Sequence, residues 1–232
     1  NRLSIMGCRT RVVADLYGEN GAMGRGNITN ISINLPRLAL EIDKEYKELD
    51  KEAKLDLLQS TWDEIAKVVK DILLDRYYKV CKRTADDFPT NSSYHLWCED
   101  FKGDLAEVFK HGTLSIGFIG LSEAIEVITG TKYYSDIDNY IMTLGFVKHM
   151  RDYCEFLKNE YKLNFSLLAT SGELISGRFI DFDKDIYKPD VDIFSKGYYT
   201  NSFHIDVDSR LPGYKKIQLE GLFHEICNGG CI

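Results

Sequence analysis

The sequence contains no apolar run long enough to span a bilayer, and its first residues do not predict a signal peptide. It also lacks a CxxC pair, and Cys227 and Cys231 flank two glycines without the second pair that a metal clip needs. The six cysteines are scattered: Cys8, Cys81, Cys98, Cys154, Cys227 and Cys231. These absences predict free thiols, a reducing cytoplasmic setting and no membrane partner.

An excess of positive charge is absent as well. The formal net charge of −7 disfavours broad electrostatic binding to nucleic acid, but it leaves room for a local site for a nucleotide's phosphates. Hydrophobic residues make up 44% of the 232 positions and charged residues 28%, as in an ordinary globular protein. No internal repeat or domain boundary is visible, so residues 1–232 are treated as one domain.

The hydrophobic pattern predicts short strands separated by long helices. The expected strands are Ile28 to Leu35, Leu114 to Phe118, Asn164 to Ala169 and Tyr198 to Val207. The expected helical stretches are 37 to 82, 95 to 109, Gly120 to Thr129, Asp136 to Leu163 and Ser171 to Phe179. This alternation favours βαβ units and a parallel sheet, either open or closed into a barrel.

Cys8 is the leading candidate for chemistry. It follows Gly7 at the entry to a glycine-rich stretch, residues 17–27, that runs into the first strand. A thiol at the tip of a loop flanked by strands can project into the middle of a fold. The alternative is that Cys8 is a small buried hydrophobe, which is the usual state of a free cysteine.

Five blocks of sequence give this cysteine its context. They are Met6-Gly7-Cys8-Arg9; Gly24-Arg25-Gly26-Asn27 with Ile33-Asn34-Leu35-Pro36-Arg37; His111-Gly112-Thr113-Leu114-Ser115-Ile116-Gly117; Leu167-Leu168-Ala169-Thr170 with Ser176-Gly177-Arg178-Phe179; and Gly197-Tyr198-Tyr199-Thr200-Asn201-Ser202-Phe203-His204. With these blocks in order, the sequence from about residue 5 onward resembles the anaerobic (class III, glycyl-radical) ribonucleoside-triphosphate reductase family.

The resemblance implies an α/β fold: half of a ten-stranded barrel of parallel strands with crossover helices. Residues 1–27 would form a finger loop that carries the active-site cysteine, and residues 28–232 the strands and helices of the second half of the barrel. The chain would then be a fragment, about a third of a full catalytic subunit, in which the N-terminal regions and the glycyl-radical domain are missing.

The resemblance also implies the reaction. Ribonucleotides would be reduced to deoxyribonucleotides after Cys8, as a thiyl radical, takes the 3′ hydrogen of the ribose. Met6 would line the same pocket, and Asn27 would point its amide at the ribose hydroxyls or the reductant. Asn27 also suits a turn before a strand, and Asn34 is the fallback for this role.

A second site implied by the resemblance is the turn after Ala169, where Thr170, Ser171 and Gly172 would hold the substrate phosphates. The competing interpretation is a capping box formed by Thr170 and Glu173. The family usually has Pro-Ala-Glu-Gly after the threonine, so this turn departs from its pattern. Asn201 and Ser202 would lie near the barrel lining and support the site. No role is assigned to His111 or His204.

The family's glycyl radical and structural zinc belong to a C-terminal domain, so no cofactor and no metal ligand are expected among these residues. The implied partners are a ribonucleoside triphosphate, dNTP or ATP effectors, a radical-SAM activating enzyme and a second subunit in a homodimer. Formate and a thioredoxin-like thiol both stay open as the reductant, and the fragment alone is expected to be inactive.

Two alternatives remain. The first is another glycyl-radical enzyme, such as a relative of formate-lyases, which the phosphate turn disfavours. The second is a non-catalytic paralogue that binds nucleotides, which the altered turns at 130–136 and 171–174 allow.

Overall fold

The structure, a computed structural model, describes residues 14–18, 25–96 and 104–229. The predictions made for Met6 and Cys8, and most of the proposed finger loop, lie outside these described residues.

Four parallel strands form one sheet in the order β1-β2-β3-β4. They are β1 (Asn27–Asn34), β2 (Thr113–Ile119), β3 (Asn164–Ala169) and β4 (Asn228–Gly229). The helices are α1 (Leu35–Glu45), α2 (Lys51–Cys81), α3 (Pro89–Ser93), α4 (Leu105–Phe109), α5 (Leu121–Thr129), α6 (Ile137–Tyr161), α7 (Glu173–Asp183) and α8 (Gly213–Ile226), with a 3-10 turn at Ala85–Asp87. The predicted α/β class with parallel strands and crossover helices is confirmed, and four strands are consistent with part of a barrel.

One face of the sheet belongs to the main hydrophobic core. Side chains of one parity along the strands, such as Ile33, Ile116 and Leu167, are at most 5% exposed. Helices α2 and α6 contribute to the same core, and Trp62 of α2 is fully buried with its ring edge-on to Phe146 of α6. Burying a side chain of this size contributes roughly 2–3 kcal/mol, so this apolar face supplies much of the driving force that holds the helices on the sheet.

Polar caps set where several helices begin. Asn34 ends β1 and caps α1 by accepting a hydrogen bond from Arg37 N (3.3 Å), with Pro36 in the first turn. Asp50 caps α2 by accepting from Ala53 N (2.8 Å). Helix α5 ends at the C-cap residue Gly130, whose φ of 77° is one that a glycine adopts without steric cost.

The predicted strand over Tyr198 to Val207 is wrong. This segment is irregular because its carbonyl groups turn to α5 instead of to a neighbouring strand: Thr200 O accepts from Gly120 N (2.8 Å) and Ser202 O from Leu121 N (3.1 Å). Ser202 also has a φ of 47°, in the left-handed region, which is incompatible with a strand.

One helix prediction also needs correction, and one helix was not predicted. Within 95 to 109, the described helix is α4 alone, because the Asp104 side chain accepts from Ala106 N (3.0 Å) and starts a helix there. The sequence pattern gave no prediction of α8. None of the helices in the described ranges is sufficiently long and apolar to cross a membrane.

Candidate functional site

The second face of the sheet carries a row of polar side chains, and this row is the first element of the candidate site. The register places Asn30 beside Ser115 and Ser115 beside Ser166, and the two serine hydroxyls are 2.9 Å apart and buried. Parallel sheets are usually covered on both faces by apolar side chains. A row of small polar groups in the middle of a parallel sheet therefore indicates a face that meets a polar ligand or a polar segment rather than a second hydrophobic layer.

Further along the same face, two hydroxyl groups meet over a glycine. Ser32 pairs with Gly117 in the register, and Ser32 Oγ lies 2.8 Å from Thr170 Oγ1. A Cβ on Gly117 would lie 2.2 Å from Thr170 Oγ1 and 2.8 Å from Ser32 Oγ. The contact between Ser32 and Thr170 therefore depends on the absence of a side chain at Gly117 of β2.

The turn after β3 is the second element. Helix α7 begins at Glu173 with Gly172 as its N-cap, and this glycine has no side chain with which to cap the helix. The predicted capping box is therefore wrong at Thr170, whose hydroxyl contacts Ser32 instead. Backbone N–H groups of an uncapped first turn carry partial positive charge and favour an anion. Gly172 is also needed for packing, because a Cβ there would lie 2.5 Å from Ile119 Cδ1.

The third element is the segment 199–206, which lies against the start of α5 at the end of β2. It contains Asn201, which is half-buried, and Ser202, which is fully buried. The Oγ atoms of Ser202 and Ser122 and Oε2 of Glu123 are buried without a hydrogen-bond partner among the described residues. Because buried polar groups are normally satisfied, this end of β2 has spare hydrogen-bonding capacity.

A buried ionic cluster holds this segment in place. Glu123 is completely buried, and its Oε1 accepts from Thr200 N (3.0 Å) and from Lys196 Nζ (2.5 Å). Lys196 also pairs with Asp206, whose other oxygen lies 3.0 Å from Lys132 Nζ. Burial would raise the pKa of Asp206, but the hydrogen bonds from Lys196 and Lys132 outweigh it and hold that pKa at about 2.

Asp183 joins three parts of the site. Its fully buried carboxylate accepts from Asn34 Nδ2 (3.0 Å), Arg37 Nε (2.5 Å) and Tyr199 OH (2.7 Å). Burial, together with the hydrogen bond to Asp183, raises the pKa of Tyr199, so the phenol stays a donor. The end of β1, the end of α7 and the start of the 199–206 segment are thereby fixed to one another.

The two asparagine candidates lie at opposite ends of β1. Asn27 is exposed, pairs with Thr113, and in one amide orientation donates to Thr113 O (3.1 Å) and Thr29 O (3.2 Å). Through Thr113, Asn27 lies in register with Asn164, and Asn164 is six residues, or roughly 20 Å of strand, from Thr170. Asn34 lies at the same end as Thr170, but its side chain is engaged by Arg37 and Asp183.

The opposite, N-terminal edge of the sheet is held by Asp15. This carboxylate lies 2.5 Å from His111 Nδ1 and accepts from Asn164 Nδ2 (2.8 Å), and Leu16 N donates to Asn164 Oδ1 (3.0 Å). Burial would raise the pKa of Asp15, but the hydrogen bonds from His111 and Asn164 outweigh it and lower that pKa. His111, which had no predicted role, therefore contacts the segment 14–18 that precedes β1.

The structure places the predicted residues Thr170, Ser171, Gly172, Asn201 and Ser202 at the C-terminal edge of one sheet. Sequence reasoning missed the partners that support them, chiefly Ser32, Ser115, Gly117 and Asp183. One sequence signal could have indicated this polar row: β2 and β3 are otherwise largely apolar, and each has a serine near its centre, Ser115 and Ser166.

The chain is similar to known proteins over its whole length. A family model described as anaerobic ribonucleoside-triphosphate reductase matches residues 1–232. The chain is 32% identical over 240 residues to the anaerobic ribonucleoside-triphosphate reductase of Salmonella typhimurium, covering 98% of this chain and 32% of that protein. It is 29% identical over 248 residues to the enzyme of the same name from Enterobacteria phage T4, covering 99% of this chain and 36% of that protein. The chain therefore spans about a third of the length of these relatives.

Solved structures show the same fold. The crystal structure of the anaerobic ribonucleotide reductase from Thermotoga maritima with glycerol in the active site superposes with a TM-score of 0.63 at 17% identity, covering 90% of this chain and 31% of that one. The structure of the Thermotoga maritima protein in complex with dATP and CTP gives the same TM-score and identity, covering 90% of this chain and 32% of that one.

Proposed function

Because this chain belongs to the anaerobic ribonucleoside-triphosphate reductase family, we propose that it forms part of the catalytic barrel of an enzyme that reduces ribonucleoside triphosphates to deoxyribonucleotides. The observation that carries this proposal is the polar sheet face that ends in the uncapped turn at Thr170. A nucleotide needs both features, polar partners for the sugar and an anion site for the phosphates.

The phosphates would bind at Thr170, Ser171 and Gly172. The first-turn N–H groups of α7 supply positive potential, and Thr170 adds a hydroxyl that is already oriented by Ser32. Asn201 and Ser202 lie next to the start of α5, where buried hydroxyls retain hydrogen-bonding capacity. We assign these two residues to supporting the sugar end of the site.

Cys8 would carry the chemistry. As a thiyl radical, its sulfur takes the 3′ hydrogen atom of the ribose, so that an S–H bond forms while the C3′–H bond breaks and the unpaired electron moves to C3′. The family's glycyl radical, outside these residues, would supply the oxidising equivalent. Met6 would line the pocket beside the sulfur. Asn27, predicted to contact the sugar or the reductant, lies roughly 20 Å of strand from the phosphate turn, so we assign its amide to the reductant.

The wider assignments follow from the same family. Residues 1–232 would be one partial barrel domain, with the finger loop at 1–27. The Thermotoga maritima protein was solved in complex with dATP and CTP, which supports a nucleoside triphosphate substrate and deoxynucleotide effectors here. A radical-SAM activating enzyme, a homodimer, and either formate or a thioredoxin-like thiol as reductant complete the proposal.

The decisive experiment is Cys8→Ser in the full-length protein, activated and assayed without oxygen. We expect deoxyribonucleotide formation to fall below detection, because an alcohol does not form the required radical, while the affinity for the triphosphate stays unchanged. Cys81→Ser is the matched control, since Cys81 lies at the end of α2, and it should retain turnover.

Two results would contradict the proposal. Wild-type activity in Cys8→Ser would show that this sulfur is not the abstracting group. Binding of triphosphate by an activated wild-type protein that forms no deoxyribonucleotide would identify the chain as a nucleotide-binding paralogue.

A further inference from the structure

His204, Glu220 and His224 form a compact cluster away from the sheet. Each offers one ligand atom, and these atoms all lie within 4.8 Å of one another. Glu220 and His224 are four residues apart on α8, so they share one face of that helix. His204 comes from the irregular segment that follows Asn201 and Ser202.

The carboxylate of Glu220 is arranged like a metal ligand. It is 2% exposed, and its Oε1 accepts from Ile205 N (2.8 Å), which leaves Oε2 facing His204. A hydrogen bond from backbone to the second oxygen is the usual outer-shell support of a carboxylate ligand.

The spacing between two of the ligand atoms also fits a shared ion. His204 Nδ1 lies 3.3 Å from Glu220 Oε2, yet this buried nitrogen makes no hydrogen bond among the described residues. Nitrogen and oxygen ligands at about 2.0–2.2 Å from a tetrahedral zinc ion are separated by about 3.3–3.6 Å. The pair therefore has the separation of two ligands of one ion.

The surroundings support the same interpretation. Aromatic rings form an apolar wall, because Phe203 lies edge-on to His224 with ring centroids 4.9 Å apart and stacks on Phe223. Lys216 of α8 places its Nζ 3.8 Å from Oε1 of Glu220. A metal ion between the two imidazoles would add a divalent positive charge beside this buried carboxylate.

We propose that His204, Glu220 and His224 bind a divalent transition-metal ion, with Zn²⁺ as the best match for two imidazoles and one carboxylate. The ion ties the segment that holds Asn201 and Ser202 to α8. This site uses residues of the barrel region and no cysteine, which distinguishes it from any thiolate zinc site elsewhere in the protein.

The test is metal content. Full-length wild-type protein and the variants His204→Ala, Glu220→Gln and His224→Ala are stripped with a chelator, reconstituted with Zn²⁺, and analysed by plasma mass spectrometry. The matched control is His149→Ala, because His149 Nε2 lies 2.6 Å from Asp63 Oδ1 in a histidine–carboxylate pair outside the cluster. We expect the wild type and His149→Ala to hold one more zinc ion per chain than each of the three ligand variants.

A measurement on the wild type alone keeps the test decisive if a variant misfolds. Co²⁺ bound at this site should give intense tetrahedral d–d bands without thiolate-to-metal charge transfer, since its protein ligands are nitrogen and oxygen. Equal zinc content in the wild type and the ligand variants, or a Co²⁺ spectrum that shows only thiolate ligation, would overturn the proposal.

Discussion

Thr170 Oγ1 lies 2.8 Å from Ser32 Oγ, and the two hydroxyls belong to segments separated by the whole of β2. They meet because Gly117, between them in the sheet, has no side chain. The hydroxyl proposed to bind phosphate is thus oriented from the far side of its neighbouring strand. This relationship makes the proposed site sensitive to a position that touches no ligand.

Gly117→Ala tests that sensitivity. The added Cβ would lie 2.2 Å from Thr170 Oγ1, so the hydroxyl must move, at a cost of about 1–3 kcal/mol for overpacking. We expect kcat/KM for the ribonucleotide to fall by about tenfold or more. Gly145→Ala is the control, because a Cβ on Gly145 of α6 meets nothing within 4 Å. Equal activity in the two variants would show that Thr170 needs no orientation.

Thr170→Val removes the hydroxyl and keeps the shape. If this hydroxyl donates to a phosphate, the KM for the triphosphate should rise by about fivefold to tenfold, the value of one hydrogen bond. Binding of the corresponding nucleoside, measured by calorimetry, should change little. Thr90→Val, at an exposed position of α3, is the control. A loss of nucleoside and triphosphate affinity by the same factor would argue for a general structural effect instead.

Asp183→Asn tests the carboxylate that joins α1, α7 and Tyr199. The Arg37 side chain is only 30% exposed, and the substitution removes the anion that it pairs with. We expect the free energy of unfolding to fall by about 3 kcal/mol. Hydrogen exchange of the amides in 199–204 should accelerate by about a hundredfold. Asp181→Asn, which breaks a pair with Lys184 at the surface of the same helix, should leave that exchange unchanged. Matching exchange in both variants would refute this role.

Asp206 predicts a dependence on pH. Its pKa falls from the ordinary 3.8 to about 2 in the folded chain. The ionised form therefore stabilises the fold fully above about pH 4, and this contribution of about 2 kcal/mol is lost as the pH falls through about 2. Protection of segment 196–206 against hydrogen exchange should decline over this interval in the wild type. In Asp206→Asn, protection should already be lower at pH 7 and this decline should be absent; an identical pH profile in the two proteins would contradict the assignment.

The sequence was sufficient to predict β1, β2 and β3 because these strands carry their own pattern, whereas the two-residue β4 was not predicted. Ile28 to Leu35 alternates apolar and polar residues, and the short apolar runs 114–118 and 164–169 are bounded by helices. The environment of the polar residues in β1 was harder to predict than the strand itself. Asn30 and Ser32 read equally well as a solvent face, and only the register shows that they continue into Ser115, Ser166 and Thr170.

The 199–206 segment was beyond prediction for a physical reason. Its residues have strand propensity, but its hydrogen-bond partners are Gly120, Leu121 and the carboxylate of Glu123, about eighty positions away. Tertiary contacts of this kind override local preference and leave no periodic trace in the sequence. The absence of a side-chain cap on α7 was hidden in the same way, since Thr170 finds its partner on β1.

The anchoring of Asp15 sets a limit on chain reach. Seven peptide units separate Cys8 from Asp15, and a fully extended chain of that length covers at most about 25 Å. Asp15 is held by its hydrogen bond from Asn164, and the strand from Asn164 to Thr170 is roughly 20 Å long. Seven extended peptide units therefore suffice to cover the distance from Asp15 to the phosphate turn, so this anchor is compatible with the proposed action of the Cys8 thiol there.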